Sequence, residues 1–220
     1  MRPALFILSF LVAGCGDSLI RPYKCGPVLT EKDIQIFRKV NTFLDLRAGD
    51  TYADIGASSG YYDGAMAVFL DSVDLYIQDI DQHCLTKRNL KRVVRYYSRF
   101  RKTPDTNHFH VTIGDEEKTN LPMGIFDKIY CNATFHVLQY PDAIVSDLYT
   151  RLRPDGKLFI RDEFVYHGET RYCDAKQCRN LIPQFEDFLA IMERNGFRLT
   201  GQSDDLGDYP IYRFEKMLGL

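Results

Sequence analysis

The apolar residues of this chain follow two alternating patterns. Short, mainly apolar runs of four to six residues are separated by longer segments in which apolar residues recur every three or four positions. The first pattern is typical of buried strands and the second of amphipathic helices. Together they predict strands at 51–55, 73–78, 109–113, 126–131, 157–160, 197–202 and 211–216, and helices at 31–46, 61–70, 82–101, 141–152 and 183–195.

The order of these elements predicts the fold class. Strands that alternate with helices of this length form parallel β-α-β units, in which helices cover both faces of the sheet. The last two predicted strands are joined without a helix, around Gly207 and Asp208, and therefore form an antiparallel edge. We predict one doubly wound, Rossmann-like α/β domain over residues 30–220. Its sheet is mostly parallel and seven-stranded, with an antiparallel C-terminal hairpin.

The N-terminus differs in composition from the rest of the chain. Arg2 is followed by an almost uninterrupted apolar run over 4–13, and two small residues then precede Cys15. The run is too short to span a bilayer as a helix, but it has the length of a signal-peptide core. The sequence Val-Ala-Gly-Cys at 12–15 resembles the bacterial lipobox.

That resemblance implies cleavage before Cys15 and acyl chains on the new N-terminal residue. Residues 1–14 are then a lipoprotein signal peptide, and residues 15–29 are a tether. The expected location is the bacterial cell envelope, with lipidated Cys15 anchoring the protein in the membrane. The alternative is a disordered or buried apolar N-terminus on a cytoplasmic protein, which a misassigned start site would produce.

The remaining cysteines indicate a disulfide rather than a metal site. Cys173 and Cys178 lie close together in a loop-like stretch and can pair in an oxidising envelope. Cys131 falls within a predicted core strand and is expected to be an inert apolar residue. No CxxC pair or Cys/His cluster has the spacing of a zinc site.

The charge balance argues against a generally basic nucleic-acid binder, because the net charge is −2 and the isoelectric point about 6.2. The helix at 82–101 is a local exception. It carries an apolar stripe and a face of cations with no acid among them, and this pattern predicts an amphipathic helix packed on the sheet. Two interpretations of the basic face stay open: a solvated surface, or contact with anionic lipid headgroups. Its cations are Lys87, Arg88, Lys91, Arg92, Arg95 and Arg99.

The segment 54–60, Asp-Ile-Gly-Ala-Ser-Ser-Gly, joins the first predicted strand to a helix. Gly56 and Gly60 allow a tight turn and a close approach of the backbone to a ligand. The helix that follows directs its N-terminal N–H groups and the positive end of its dipole toward that ligand. In doubly wound sheets this turn lies at the ligand-binding crevice.

Two acids follow the next two strands. Asp79 ends the second strand, where dinucleotide-binding proteins place an acid that binds ribose hydroxyls. Asp115 follows the third strand and is positioned to accept a hydrogen bond from an adenine amine. Together with Asp54 at the end of the first strand, these acids predict a site for an adenosine-containing ligand.

These segments resemble the motifs of class I S-adenosylmethionine-dependent methyltransferases. Residues 49–61 are similar to the glycine-rich first motif, 73–81 to the motif with the ribose-binding acid, 114–129 to the segment after the adenine contact, and 152–158 to the turn into the fifth strand. The motifs occur in the family's order over residues 30–217. One departure is Ser58, which stands where the family commonly has glycine.

The resemblance implies S-adenosylmethionine as cofactor and methyl transfer to a nucleophile on a small or envelope-associated acceptor. Because the cofactor's sulfonium makes the methyl group electrophilic, the protein has mainly to align the acceptor. The predicted cofactor-binding residues are Asp54, Gly56, Ala57, Ser58, Gly60, Asp79, Ile80, Asp115, Glu116 and Asn132.

His136 is the candidate catalytic residue. It follows the fourth strand and can act as a general base for a hydroxyl or amine, because the pKa of histidine lies near neutrality. A structural histidine that caps the loop explains its position equally well. The loop 163–180, which contains His167, fits either a substrate lid or an ordinary surface loop.

Three alternatives to methyl transfer remain. The pattern Gly-x-Ser-x-Gly at 56–60 matches a hydrolase nucleophile elbow, but it follows the first strand and no histidine follows the last strands. A nicotinamide-dependent oxidoreductase would share the crevice, but the GxGxxG spacing is absent. The third alternative is a lipid-anchored, catalytically silent methyltransferase-like protein. The envelope is not expected to be rich in S-adenosylmethionine, and a protein without turnover would not need a supply of this cofactor.

Overall fold

The computed structural model describes residues 21–172, 181–203, 206 and 209–217. Seven strands form one sheet in the order β3-β2-β1-β4-β5-β7-β6. The strands are β1 (Thr51–Ile55), β2 (Asp74–Asp79), β3 (His108–Ile113), β4 (Phe126–Asn132), β5 (Leu152–Arg161), β6 (Phe197–Gln202) and β7 (Ile211–Lys216).

Five α-helices cover this sheet, together with two short 3-10 turns. The helices are α1 (Ile36–Phe43), α2 (Tyr61–Ala67), α3 (Lys87–Ser98), α4 (Pro141–Arg151) and α5 (Phe185–Arg194), and the 3-10 turns are Asp33–Gln35 and Phe135–Val137. None of the described helices is long and apolar enough to cross a membrane.

The strand pairing confirms the predicted fold class. Strands β1 to β5 pair in parallel, and β7 lies antiparallel between β5 and β6, as the helix-free connection predicted. The first strand, β1, lies between β2 and β4, so the chain order reverses beside it. Ligands of doubly wound sheets bind at this reversal, outside the carboxyl ends of the strands.

Two apolar cores fill the two faces of the sheet. One contains Tyr52 and Leu75 of the sheet with Val93 of α3, and the other packs Ile129 against Phe188 of α5. All five residues of β1 are buried. Burial on both faces explains why the parallel strands have continuous apolar runs rather than strict alternation.

Several predicted boundaries were wrong, including those of the first helix, which spans Ile36–Phe43 rather than 31–46. In two other cases local contacts explain the difference. The third helix begins at Lys87 rather than at 82, because the Oγ1 of Thr86 caps it by accepting a hydrogen bond from the backbone N–H of Asn89 (3.0 Å). The predicted turn at 153–156 is a bulge inside β5, where the register against β4 shifts. The predicted hairpin turn at 207–208 lies outside the described residues.

Residues 21–29, within the segment predicted to be a tether, pack against α3. The Tyr23 ring is buried, and its hydroxyl lies 2.6 Å from the Tyr97 hydroxyl and donates to the Pro27 carbonyl. The backbone N–H of Lys24 donates to the Asn89 side chain (3.0 Å), whose amide nitrogen donates back to the Lys24 carbonyl. These contacts hold residues 21–29 against α3.

A disulfide between Cys25 and Cys84 joins this segment to the loop before α3. The bond closes a loop with a sequence separation of 59. A loop of that size restricts the unfolded chain by about 4 kcal/mol in the chain-entropy model. Cys131 is buried and free, as predicted. The predicted Cys173–Cys178 pair lies outside the described residues, as do Cys15 and the predicted signal peptide.

Candidate cofactor site

A cavity of about 280 Å³ lies at the carboxyl ends of the parallel strands. Four successive chain segments reach it: the ends of β1 and β2, the loop after β3, and the loop between β4 and α4. This volume is near the lower limit of typical small-molecule sites. The cavity is lined by Ile55, Gly56, Gln78, Asp79, Ile80, Asp115, Glu116, Ala133, Thr134, Val137, Leu138, Gln139 and Ile144.

Gly56 allows the turn after β1 to approach the β4 side of the crevice. Its φ is +72°, and a Cβ placed on it would lie 2.3 Å from the side chain of Thr134. Only glycine fits that position without displacing Thr134, whose Oγ1 donates to the Asn132 carbonyl (3.0 Å). Thr134 therefore borders the space next to the glycine turn.

Ser58 does not line the cavity. Its backbone has the left-handed conformation (φ +55°), and its Oγ donates to the Cys25 carbonyl (3.0 Å). The side chain thus faces the N-terminal segment, which explains how serine is accommodated where the resemblance predicts glycine. This contact also argues against the hydrolase interpretation, because the hydroxyl's partner is a carbonyl and not a histidine.

Asp79 connects the glycine turn to β2. Its Oδ2 accepts a hydrogen bond from the Ser58 N–H (2.6 Å), and its Oδ1 accepts one from the Asp81 N–H (2.7 Å). Each carboxylate oxygen has a second lone pair, so both can still accept a ligand hydroxyl. The carboxylate lines the cavity at the position that the sequence predicted for ribose recognition.

The mouth of the cavity combines acids with exposed apolar side chains. Asp115 and Glu116 lie there, and the Oδ1 of Asp115 caps its own turn by accepting from the Glu117 and Lys118 N–H groups. Ile80 is 55% exposed and Val137 45% exposed, which is unusual for large apolar side chains. Both line the cavity and offer apolar surface to a ligand.

Asp54 is buried behind the cavity rather than in its lining. Its carboxyl group faces that of Asp63 in α2, and Oδ1 of Asp54 and both oxygens of Asp63 lack a hydrogen-bond donor among the described residues. Two acceptors can bond to each other only when one is protonated. Burial accordingly raises the pKa of Asp63 to about 7 and raises the pKa of Asp54 well above its usual range.

Gly60 and Ala57 serve the packing of the glycine turn. A Cβ on Gly60, whose φ is +76°, would lie 2.7 Å from the Leu90 side chain, so this glycine brings α2 close to α3. The Ala57 N–H donates to the Gln78 carbonyl (3.0 Å) and its side chain is buried. The N–H groups of Ala57 and Ser58 thus bind the protein itself rather than pointing freely at a ligand.

Asn132 and His136 do not belong to the cavity lining. The Oδ1 of Asn132 accepts a hydrogen bond from the Tyr130 hydroxyl (3.1 Å). The Nδ1 of His136 lies 2.7 Å from Oδ1 of Asp162, and its backbone N–H donates to the other oxygen (3.0 Å). The hydrogen bond to Asp162 raises the pKa of His136 and fixes the orientation of its ring. The next residue in the chain, Val137, lines the cavity.

The structure therefore brings together Gly56, Asp79, Ile80, Asp115 and Glu116 from the predicted set. Sequence reasoning missed the opposite wall, which the loop after β4 and the start of α4 provide. The signal for it was weak, because that wall consists of ordinary apolar and small residues without a chemical signature. The missed residues of that wall are Ala133, Thr134, Val137, Leu138, Gln139 and Ile144, and Ile55 of β1 and Gln78 of β2 were missed as well.

Residues 53–160 match a family described as a methyltransferase domain. Among solved structures, an S-adenosylmethionine-dependent methyltransferase from Aquifex aeolicus is 20% identical, with a TM-score of 0.57 over 83% of this chain and 89% of that one. A 1,6-didemethyltoxoflavin-N1-methyltransferase from Burkholderia thailandensis, with S-adenosylhomocysteine bound, is 14% identical, with a TM-score of 0.59 over 84% and 80%.

A third similar structure is the [4+2]-cyclase SpnF, which is 14% identical, with a TM-score of 0.63 over 90% of this chain and 87% of that one. No curated protein matches the sequence significantly. The family match covers residues 53–160, and the similar structures, at 14–20% identity, establish the fold only.

The paired carboxyl groups lead to a prediction about pH. Because the folded-state pKa of Asp63 is raised above its unfolded value, its protonation stabilises the fold below about pH 4, and this contribution is lost as the pH rises through about 7. In Asp63→Asn an amide donor replaces the shared proton. We expect the free energy of unfolding, measured with urea between pH 5 and 8, to fall with rising pH by on the order of 2 kcal/mol more in the wild type than in Asp63→Asn.

The control is Asp155→Asn, which changes an exposed aspartate in the β5 bulge. It should retain the pH dependence of the wild type. Parallel curves for the wild type and Asp63→Asn across this range would show that the two carboxyl groups do not share a proton.

Proposed function

We propose that this domain binds S-adenosylmethionine and transfers its methyl group to a small or envelope-associated acceptor. One observation carries the proposal: Gly56, Asp79, Ile80 and the Asp115–Glu116 pair, from the ends of three neighbouring strands, line a single cavity at the reversal of strand order. The methyltransferase-domain match over residues 53–160 supports the same reading.

The residues of the cavity fit the adenosine part of this cofactor. Asp79 has acceptor capacity for the ribose hydroxyls, and Asp115 or Glu116 accepts from the adenine amine. Ile80 and Val137 provide apolar surface for the adenine ring. The methionine end then lies toward the Gly56 turn and Thr134, which line the same cavity.

When bound, S-adenosylmethionine supplies an electrophilic methyl group on a sulfonium. The protein's own contribution is to align the acceptor. When the acceptor is already held in line with the methyl group, the translational and rotational entropy cost has been met on binding and does not add to the barrier of the reaction. The loop after β4 borders the cavity beside the Gly56 turn, and we assign acceptor positioning to this loop, which includes Thr134 and His136.

For an acceptor that must lose a proton, we assign the role of general base to His136. Asp162 holds Nδ1 of the ring, so in the neutral tautomer with a proton on Nδ1 the Nε2 atom is the basic nitrogen. The arrangement of a histidine oriented by a carboxylate is a common one for proton transfer.

A catalytically silent binding or scaffolding protein is the alternative, and two observations favour it. The N–H groups of Ala57 and Ser58 are occupied by Gln78 and Asp79, which leaves fewer donors for a ligand. In addition, the similar structure of the cyclase SpnF indicates that this fold also occurs in a protein described by a different reaction.

For location, we propose lipidation of Cys15 and a place in the bacterial cell envelope. The Cys25–Cys84 disulfide supports this proposal, because stable disulfides form mainly outside the reducing cytoplasm. Lipidation and the disulfide together would place the domain at an envelope membrane.

Binding of S-adenosylhomocysteine tests the cofactor site. We expect heat of binding in titration calorimetry, and a roughly tenfold weaker affinity for Ile80→Ala, because the variant loses about 1–2 kcal/mol of apolar contact. Ile113→Ala is the matched control, since Ile113 is also exposed (37%) but lies outside the cavity lining, and it should bind like the wild type. Absence of heat at millimolar ligand would favour the silent scaffold.

The role of His136 is tested once a screen has identified an acceptor with a hydroxyl or amine. The wild-type rate should rise with pH as the histidine loses its proton, and the raised pKa places this rise above pH 6.5. His136→Gln should lower the turnover number about 100-fold and remove the pH dependence, while S-adenosylhomocysteine still binds. An unchanged turnover number in His136→Gln would assign the histidine a structural role.

Labelling with radioactive palmitate in cells tests the location. We expect the label in the wild-type chain and not in Cys15→Ala, while Cys131→Ala, which changes a buried cysteine, should be labelled normally. Equal labelling of the wild type and Cys15→Ala, or no labelling of either, would contradict lipidation at this residue.

A further inference from the structure

Helix α3 has a strongly basic exposed face. All six cations lie between Lys87 and Arg99 and are exposed, and at about 100° per residue they occupy one arc of about 140°. The opposite face buries Leu90, Val93 and Tyr97 against the domain. The exposed cations are Lys87, Arg88, Lys91, Arg92, Arg95 and Arg99.

These six cations are not neutralised by acids of the described chain. None of them forms a salt bridge with another described residue, whereas nearby Arg101 pairs with Asp71 and donates to four backbone carbonyls. The chain as a whole has a net charge of −2, so the basic face is a local concentration of charge. Uncompensated charge of one sign on one face favours a partner of the opposite sign.

The N-terminal segment lies along the same face. Pro22 forms a surface hollow together with Arg92, Arg95 and Arg99, and Lys24 adjoins Arg88 and Arg92 in a second one. The disulfide at Cys25 and the hydrogen bonds of Lys24 to Asn89 hold the segment there.

This placement brings the proposed lipid anchor close to the basic face. Cys15 precedes Arg21 by six residues, which span at most about 20 Å even when fully extended. An acyl chain on Cys15 would therefore enter its membrane within about 20 Å of Arg21, where the segment that packs on α3 begins.

An apolar groove borders the basic face on its other side. It has a volume of about 740 Å³ and lies between α3 and the edge strand β3, with Val94, Phe109 and Val111 in its wall and Lys87, Lys91 and Arg95 beside them. His110 also lines the groove, and its Nε2 lies 3.4 Å from the Asp74 carboxylate of β2. Apolar surface flanked by cations is the combination that proteins use at a membrane interface.

We propose that the exposed face of α3, with this groove, docks on an anionic lipid bilayer. The cations face the phosphates of the headgroups, and the apolar groove faces the boundary between headgroups and acyl chains. The surface is independent of methyl transfer. It complements the proposed Cys15 anchor, because one acyl-modified residue and one polybasic face together give stable membrane attachment.

Vesicle binding tests this surface in the full chain carrying Cys15→Ser, which removes any contribution from lipidation. The chain should sediment with vesicles of phosphatidylglycerol mixed with phosphatidylcholine, less with pure phosphatidylcholine vesicles, and less as salt is added. Adding Lys91→Gln and Arg95→Gln should weaken binding to the anionic vesicles about 25-fold, since each cation near such a surface strengthens binding roughly fivefold.

The matched control changes two exposed cations elsewhere, Lys32→Gln and Lys39→Gln, near and in α1, and should bind the anionic vesicles within about twofold of the parent. The apolar residues before Cys15 are common to all variants and do not affect this comparison. S-adenosylhomocysteine binding should be unchanged in every variant, so failure of the cofactor proposal would be seen separately.

Three results would overturn the docking surface. One is equal binding of the α3 variant and its parent to anionic vesicles, and another is equal binding of the parent to both vesicle types. The third is binding of double-stranded DNA that depends on Lys91 and Arg95 without any binding to vesicles, which would assign the face to nucleic acid instead.

Discussion

The structure depends on the burial of one parallel strand, β1, between β2 and β4. Because both of its faces are covered and both of its edges are paired, the chain that leaves it must turn sharply at the reversal of strand order. Gly56 makes that turn, and the neighbouring strand ends bring Asp79 and the acids after β3 to the same edge. The cavity is thus a consequence of the strand order rather than of any single loop.

Several hydrogen bonds stabilise the backbone conformation of the glycine turn. The left-handed conformation of Ser58, which costs about 1–3 kcal/mol for a residue other than glycine, is maintained by the Asp79 carboxylate on its N–H and by the Cys25 carbonyl on its hydroxyl. The disulfide to Cys84 keeps that carbonyl in place. In this chain the N-terminal segment is therefore part of the support of the candidate site, although composition alone describes it as a connector.

The fold and the side chains of the site determine different properties of the protein. Similar structures include methyltransferases and a cyclase, so the fold by itself does not determine the reaction. Two pairs of ionisable side chains lie near the cavity: the buried Asp54–Asp63 pair behind it, and the His136–Asp162 pair beside it. Each pair joins residues from different segments of the chain.

The periodicity of apolar residues was sufficient to predict seven strands, their parallel order and the closing hairpin, because burial on a sheet or helix face is recorded locally in the chain. The residues at strand ends, Asp79 and Asp115, could be placed for the same reason. The partners of Cys25 and His136, and the role of Thr134, were decided only by the tertiary structure. Each of these contacts joins residues that are distant in sequence or of unremarkable type, and nothing local in the chain encodes which distant surfaces meet.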